Sequence, residues 1–396
     1  MRNDSPFIQT MMLKSTLQFR LPAVLFIAAT LTACNTEEET TPQLRKTIDY
    51  ATLTATTPYN TLFVDETGKT TVDLSNGNNR YKMFQALNTY ISSSISGNKQ
   101  IDVTVLKNMY GNTGNAFADS TKLNTSGVQL RNVTASSMAA TEAEKVRTHI
   151  DTYLTAVAEA SKSVTAAAAK GKAGKLGTYL VDAKGIEPIQ IVQKSLIGAL
   201  QYDYIGNVLL TKGLDADNST LVAGKNYTQL EQNWDEAYGL LTLNPVYLLG
   251  STDDKRGTTE FALGSYIWEY NKSAYAQVHP AFLKGRAAIV NNDKVELKKQ
   301  ADFIKAAMEK AIAAAAMGYL GPKYVAAQTD AARAHAIGEG LGFIYSLRFA
   351  TINGADATFS DNLLKALILD APNGFWDLTP TKLSEASDAI KVKFKL

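Results

Sequence analysis

The chain has 396 residues, of which 45% are hydrophobic and 20% charged, and its formal net charge is +2. This composition is typical of a folded globular protein with a large apolar core, and the length favours about two domains. Because the net charge is close to zero, there is no electrostatic basis for binding nucleic acid, and we expect no partner of that class.

The N-terminus has the pattern of a secretory signal. Three basic residues, Arg2, Lys14 and Arg20, precede the apolar run "LPAVLFIAATL", which extends from residue 21 to 31. This run is too short to cross a bilayer as a mature helix. We therefore interpret residues 1–33 as a signal peptide and leave them out of the fold prediction.

The only cysteine of the chain, Cys34, directly follows this run. The sequence Leu31-Thr32-Ala33-Cys34 resembles the bacterial lipobox, in which the thiol is acylated and cleavage leaves the cysteine as the new N-terminus. Two or three acyl chains hold a protein stably on a membrane. The alternative is a chance cysteine after an ordinary signal peptide. In either case no other thiol remains for a disulfide, a metal site or a nucleophile.

Residues 34–47 are polar and are predicted to form a linker between the lipid and the fold. The acidic run that follows Cys34 resembles the surface-export signal of Bacteroidetes lipoproteins, and a solvated acidic linker is the alternative. We expect an outer-membrane lipoprotein that faces the periplasm or the cell surface.

The first half of the body, residues 48–220, begins with a segment rich in Thr, Gly and Asn that could form one hairpin around Glu66-Thr67-Gly68. Helical periodicity starts near Asn79, and a short helix follows with Asp102 as its N-cap. Residues 111–140 are predicted to be a surface loop. Thr141 and Glu144 have the spacing of a capping box at the start of a long helix, and Pro188 stands in the first turn of the next helix.

The second half, residues 221–396, is also predicted to consist mainly of helices. A helix begins near Tyr227, Pro280 is expected to start another, and a long Ala-rich helix ends before Gly321-Pro322. The following helix is capped by Thr329 or Asp330. Because strands and helices do not alternate anywhere, we predict a mainly α protein with two helical bundles in series, preceded by a short irregular or β segment.

His335 and Glu339 are the first candidate site. They lie four residues apart, which places them on one face of a helix where both could bind a metal. A plain hydrogen bond inside a bundle is the alternative. The helix also carries three glycines, each of which disfavours a helix by about 1 kcal/mol relative to Ala. Another helix or a ligand must therefore come close to it. The glycines are Gly338, Gly340 and Gly342.

A second candidate site combines polar and aromatic residues from three predicted helices. These residues could line a groove between the bundles, or they could form an aromatic core with structural salt bridges, because a buried arginine needs a carboxylate partner. The candidate ligand-binding residues are Trp234, Asp235, Glu236, Arg286, Gln190 and Lys194, with Glu187 nearby.

Five segments together resemble an uncharacterised family of Bacteroidetes-type lipoproteins that is similar to the imelysin-like proteins. They are "RYKMFQALNTYI", "GIEPIQIVQKSLIGAL", "NWDEAYGLL", "FLKGRAAI" and "HAIGEGLGFIYSLRF". The resemblance covers the chain from about Asp49 onward. It implies two four-helix bundles, an envelope location and a GxHxxE site motif. In "HAIGE", Glu339 is one residue further from His335 than in that motif, and Arg333 replaces the glycine.

Three hypotheses of function follow. The first is a non-enzymatic binding protein that captures a divalent metal, iron, haem or another small molecule between the bundles and passes it to an outer-membrane transporter. The second is an imelysin-like metallopeptidase, which would need at least three metal ligands and a general base. The third is a structural or interaction lipoprotein without a small-molecule site.

Overall fold

A computed structural model describes residues 42–241, 262–322 and 329–396, which fall within one contact unit, Thr41–Leu396. The predicted signal peptide, Cys34 and the first part of the linker lie outside the described residues. Within the described part, the predicted mainly α fold is confirmed, and strands are limited to one short hairpin and isolated bridges.

The helices are named in chain order. They are α1 (Tyr59–Leu62), α2 (Ser75–Ser96), α3 (Val103–Gly111), α4 (Ala140–Ser161), α5 (Pro188–Leu196), α6 (Gln229–Leu241), α7 (Leu263–Tyr270), α8 (Lys272–Val290), α9 (Lys294–Tyr319), α10 (Asp330–Ser346), α11 (Ala357–Leu364) and α12 (Pro380–Phe394). Helix α5 continues as a π-helix over Ile197–Leu209, and α11 does so over Lys365–Leu369. Strands β1 (Gly174–Leu176) and β2 (Tyr179–Val181) pair antiparallel.

One apolar core runs through the described residues and is shared by helices from both halves of the chain. Helix α2 packs on α6, α5 packs on α10, and α9 contacts α7, α8 and α10. The predicted division into bundles near residue 220 stays a prediction, although helices from both sides of that point contact each other directly.

Several predicted local features are confirmed. The turn at Glu66-Thr67-Gly68 closes a bridge between Val64 and Thr70, and Asp102 caps α3 by accepting from the N–H of Thr104. Pro188 is the first residue of α5. The Thr329 hydroxyl caps α10 by accepting from the N–H of Ala332.

The capping box predicted at Thr141 is wrong. Helix α4 begins one residue earlier, after Ala139, and has no side-chain cap. The Glu144 carboxylate pairs with the Arg131 guanidinium instead, so it does not turn back to the helix end.

Two other expectations differ from the structure. Pro280 lies inside α8 and does not start a helix. Strands are expected only in the irregular or β segment that precedes the bundles, but the segment around Gly177 forms the turn of the β1–β2 hairpin, with φ of +62° at Gly177.

The glycines of α10 mark its close approach to α5. A Cβ atom on Gly342 would lie 2.6 Å from Lys194 Cβ and 2.9 Å from the carbonyl oxygen of Gln190. A Cβ on Gly338 would meet the Gln190 and Glu187 side chains at 3.3 and 3.4 Å. The neighbour that the sequence required is therefore helix α5 beside Gly338 and Gly342, whereas Gly340 faces Tyr319 and Leu320 at the end of α9. The contact with α5 brings its polar residues against His335 and Glu339.

Gly342→Ala should lower the free energy of unfolding by about 1–3 kcal/mol, the usual range for overpacking a core, because the new methyl group meets backbone atoms of α5. Urea denaturation monitored by circular dichroism measures the change. The matched control is Gly206→Ala, where the new Cβ would lie 3.4 Å from the nearest flexible side-chain atoms. Equal destabilisation by both variants would contradict the proposed close approach.

Candidate functional site

Arg286 of α8 is fully buried and is surrounded by hydrogen-bond acceptors. Its Nη1 donates to Glu231 Oε1 at 2.7 Å, its Nε donates to Asp235 Oδ1 at 3.0 Å, and its Nη2 donates to the Thr71 hydroxyl at 3.1 Å. The ring of Phe63 lies 5.0 Å from the guanidinium carbon. The two carboxylates are four residues apart on α6, so one face of this helix neutralises one cation.

Both carboxylates have further partners. Glu231 forms a capping box with Thr228, whose N–H donates to Glu231 Oε2 at 2.8 Å, and Arg45 donates to the same oxygen at 2.7 Å. Asp235 accepts from the Tyr59 hydroxyl at 2.7 Å. Desolvation raises the pKa of Asp235 to about 6, although Arg286 and Tyr59 oppose the shift.

Trp234 and Glu236 are also held by packing. The indole Nε1 of Trp234 donates to the carbonyl oxygen of Phe282 at 2.9 Å, and the ring lies so close to Gly285 that a Cβ there would be 2.0 Å from it. Glu236 pairs with the Arg80 guanidinium and accepts from the Tyr204 hydroxyl at 3.0 Å.

This first cluster therefore has the arrangement of a structural salt-bridge network. The predicted ligand-binding residues Trp234, Asp235 and Glu236 all lie on α6, and with Arg286 they are buried and engaged by protein groups. Their assignment to ligand binding stays a prediction, and the alternative of an aromatic core with structural salt bridges accounts for every contact named above.

The second cluster, called here the His335 centre, lies where α10 meets α5. It contains His335, Glu339, Glu187, Lys194 and Tyr179. His335 Nδ1 lies 2.7 Å from Glu187 Oε2, and the imidazole stacks on the Tyr179 ring with 4.1 Å between centroids. The side chain of His335 retains 29% of its exposure, while that of Glu187 retains 5%.

The second nitrogen of His335 is open. Its Nε2 has no hydrogen-bond partner among the described residues, and the nearest carboxylate oxygen, Glu339 Oε1, is 4.0 Å away. A carboxylate on Nδ1 fixes both the ring orientation and the tautomer of a neutral imidazole, and it leaves Nε2 as the free lone pair.

Behind the imidazole, Glu339 is paired with the buried Lys194 ammonium at 2.9 Å. Burial alone would raise the pKa of Glu339, but the charge of Lys194 and a hydrogen bond from Tyr319 outweigh it and lower the pKa. Burial likewise opposes the charge of Lys194, yet its neighbours Tyr266 and Glu339 raise its pKa. The pair is therefore ionised, which leaves His335 as the group of this centre that titrates nearest to neutral pH.

Gln190 lies one turn from both Glu187 and Lys194 on α5 and contacts Gly338. It is buried, and its Oε1 atom has no hydrogen-bond partner. Such an unpaired buried acceptor is rare in folded proteins and indicates a missing partner or stored strain.

The donor set of the His335 centre does not suit a bare metal ion. Within residues 42–241, 262–322 and 329–396, no group of three or more His, Cys, Asp and Glu side chains could hold one. Structural zinc requires four ligands, and Lys194 competes for the Glu339 carboxylate. The centre offers one well-oriented open imidazole nitrogen, which suits a metal that arrives with most of its ligands already in place.

A separate cleft of about 540 Å³ is lined by residues of α4, α10 and α11. Tyr345 lies between the His149 ring, 3.6 Å away between centroids, and the Arg348 guanidinium, 3.5 Å from its centroid. Burial, with a smaller effect from Arg348, lowers the pKa of His149 to about 3, so this histidine is neutral. The volume lies in the range of small-molecule sites.

The sequence did not single out Tyr179, Tyr266 and Tyr319, all of which contribute to the His335 centre. Tyr179 comes from the β2 strand, which was not predicted. Tyrosines occur throughout the chain, 18 in total, and no spacing relates these three to His335. Only the fold brings them together.

A family profile described as "Domain of unknown function (DUF4856)" matches residues 59–396. The chain belongs to this DUF4856 family. Comparison with curated proteins and with solved structures found no match. The family assignment covers all the helices named above, the His335 centre and the residues of the first cluster other than Arg45, but it carries no activity of its own.

Among the described helices of this DUF4856 chain, none combines the length and the apolar character needed to cross a bilayer.

Arg286→Met should destabilise the protein by about 3–5 kcal/mol, because it leaves Glu231 and Asp235 buried without their shared cation. Denaturation in urea at pH 7 measures this loss. The control is Arg131→Ala, which breaks the half-exposed pair with Glu144 and should change stability by at most about 1 kcal/mol. A small effect of Arg286→Met would show that the network is not needed for folding.

The three histidines should titrate in a fixed order. Burial lowers the pKa of His335, but its hydrogen bond to Glu187 and the nearby carboxylates outweigh this and raise the pKa above 6.5. Burial lowers the pKa of both His149 and His279. Proton NMR of the imidazole signals should therefore show His335 as the last histidine to lose its proton as the pH rises.

The raised pKa of His335 also determines how stability depends on pH. A folded-state pKa above 6.5 means that the contribution of His335 is fully present below pH 6.5 and is lost as the pH rises through the folded pKa. The difference in unfolding free energy between the wild type and His335→Gln should shrink over that interval. A difference that grows with pH would contradict the assigned contact with Glu187.

Proposed function

We propose that this chain is a lipid-anchored binding protein of the bacterial outer membrane that captures a metal-containing small molecule at the His335 centre. The observation that carries the proposal is the carboxylate–imidazole pair: Glu187 holds Nδ1 of His335 at 2.7 Å, while Nε2 remains open and the side chain reaches solvent. Metal-binding histidines in proteins almost always have this second partner.

The ligand class follows from the number of protein donors. One open imidazole is sufficient for a metal already held by a chelating molecule, as in haem, where a protein contributes axial ligands. It is insufficient for a bare ion. The proposal therefore favours haem or another iron chelate, which agrees with a role in iron uptake beside an outer-membrane transporter.

The anchor and the wider relationship are part of the same proposal. The lipobox ending at Cys34 supports acylation, and the acidic run after it supports a Bacteroidetes-type envelope lipoprotein. The likeness to imelysin-like proteins supports an envelope role as well. A peptidase would require a cluster of metal ligands and a base, and the described residues contain no such cluster, which favours binding over hydrolysis.

The experiment is a titration of the full-length protein in detergent with haemin, and separately with Fe³⁺ and Zn²⁺. We expect haemin to bind with a shifted absorbance spectrum and the bare ions to bind weakly. His335→Gln should remove the spectral shift, and Glu187→Gln should weaken binding by about 10- to 100-fold, as is usual for residues that orient a metal ligand.

Two matched variants show whether the effect is specific. His279→Gln removes an imidazole that contacts Tyr238 and Thr57, and His149→Gln removes the histidine of the separate cleft. Both should bind haemin like the wild type. Loss of binding in His149→Gln alone would move the site to that cleft, and the absence of any binding by the wild type would reject the proposal.

A further inference from the structure

The end of the predicted linker is docked on the fold. Residues 43–50, called here the strap, lie across the turn between α8 and α9. The Gln43 side chain donates to the carbonyl oxygen of Val290 at 2.7 Å. Asn291 both accepts from the N–H of Ile48 and donates to its carbonyl oxygen, each at 2.8 Å, and the Tyr50 hydroxyl donates to Asp293 at 2.9 Å.

Arg45 ties the strap to the buried network. Its Nη2 donates to Glu231 Oε2 at 2.7 Å and to the carbonyl oxygen of Asn226 at 2.6 Å, and only 8% of its side chain remains exposed. Because Glu231 also binds Arg286, detaching Arg45 would remove one partner from a fully buried carboxylate. The strap is therefore held by the buried Arg45–Glu231 ion pair in addition to its surface hydrogen bonds.

Docking shortens the part of the chain that can act as a free tether. Seven residues lie between Cys34 and Pro42, which are therefore eight Cα-to-Cα steps apart. At most about 3.5 Å per extended residue, they reach about 28 Å. An anchor on Cys34 therefore keeps the α8–α9 turn within that distance of the lipid surface.

Helix α9 runs from this turn toward the His335 centre. It has 26 residues, which corresponds to about 39 Å at 1.5 Å per residue. Its first residue, Lys294, follows the turn, and its last residue, Tyr319, contributes a hydrogen bond to Glu339. The docked strap and the His335 centre are thus at opposite ends of one rigid element.

The turn end of α9 exposes an apolar side chain beside ion pairs. Val295 is 83% exposed, and two of the lysines near it are neutralised, because Lys298 pairs with Asp302 and Lys299 pairs with Glu296. The position of this end near the lipid therefore follows from the docked strap and not from attraction to anionic headgroups.

We propose that the strap orients the protein on the membrane, with the α8–α9 turn against the lipid surface and the His335 centre at the distal end. The proposal rests on the proposed acylation of Cys34. A freely jointed tether would let the body tumble, whereas a docked strap fixes which end is nearest to the anchor. The candidate site then faces away from the bilayer, toward a ligand or a transporter.

The test uses the lipidated full-length protein in vesicles of phosphatidylcholine and phosphatidylglycerol that contain a rhodamine-labelled lipid. Since acylation occupies the only native cysteine, a single introduced cysteine can be labelled with a donor fluorophore. Lys298→Cys reports on the turn end and Asp330→Cys reports on the His335 end. Energy transfer should be several-fold more efficient from position 298 than from position 330.

The strap is tested in the same assay. Asn291→Ala removes both bonds to Ile48 without altering the buried charges, and combining it with Arg45→Ala should release the strap. Both backgrounds should bring the two transfer efficiencies closer together, while Arg131→Ala should leave them apart. If the double variant fails to fold by circular dichroism, Asn291→Ala alone decides the result.

The experiment distinguishes a failure of the proposed anchor from a failure of the proposed orientation. An intact mass without acyl chains, together with no vesicle binding, would reject the anchor and therefore this proposal as well. Acylated, vesicle-bound protein with equal transfer from both positions, or with a difference that strap variants do not change, would reject the orientation while leaving the anchor and the haemin-binding proposal intact.

Discussion

The guanidinium of Arg286 is the charge on which the packing of α6 and α8 depends. A buried cation is tolerated only when its charge and its donors are satisfied, and α6 satisfies it with Glu231 and Asp235 from successive turns. This requirement fixes the rotation of α6 about its axis. The same rotation directs Trp234 against Gly285 and places Glu236 beside Arg80. The chain before α1 contacts this network through Arg45, and α1 contacts it through Tyr59.

The two clusters differ in whether the protein completes them. Arg286, Glu231 and Asp235 are closed to solvent and bind protein groups, although Nε of Arg45 at the edge of this network has no hydrogen-bond partner. In the His335 centre, the Lys194–Glu339 ion pair is buried. The imidazole, however, is only half-buried, one of its nitrogens has no hydrogen-bond partner, and Gln190 Oε1 also lacks a partner. Perturbed ionisable groups occur in both structural networks and functional sites. The partly exposed imidazole with an unbonded nitrogen is therefore what distinguishes the His335 centre as a candidate site.

The sequence was sufficient to predict the helical class, the caps of α3 and α10, and the placement of His335 and Glu339 on one helical face. These features depend on residues within about one turn of each other. It was not sufficient to predict partners that come from distant segments. Glu339 pairs with Lys194, and Arg286 takes Glu231 as well as Asp235, because helix packing decides which of several nearby charges meet. Glu144 fails as a capping residue for the same reason, since Arg131 competes for it.

The π-helical continuation of α5 over Ile197–Leu209 has a consequence for how this helix tolerates change in length. A π-helix holds an extra residue relative to an α-helix, so deleting one residue there could be absorbed as ordinary α-helix without breaking the chain. If the extra residue were instead kept and wound as regular α-helix, the two halves of the helix would rotate relative to each other by about 100°, since an α-helix has 3.6 residues per turn. Asp203, which accepts from the backbone of Ser137, and Lys194, which pairs with Glu339, could no longer both face their partners. The wide turns thus keep the contacts at the two ends of this helix in phase.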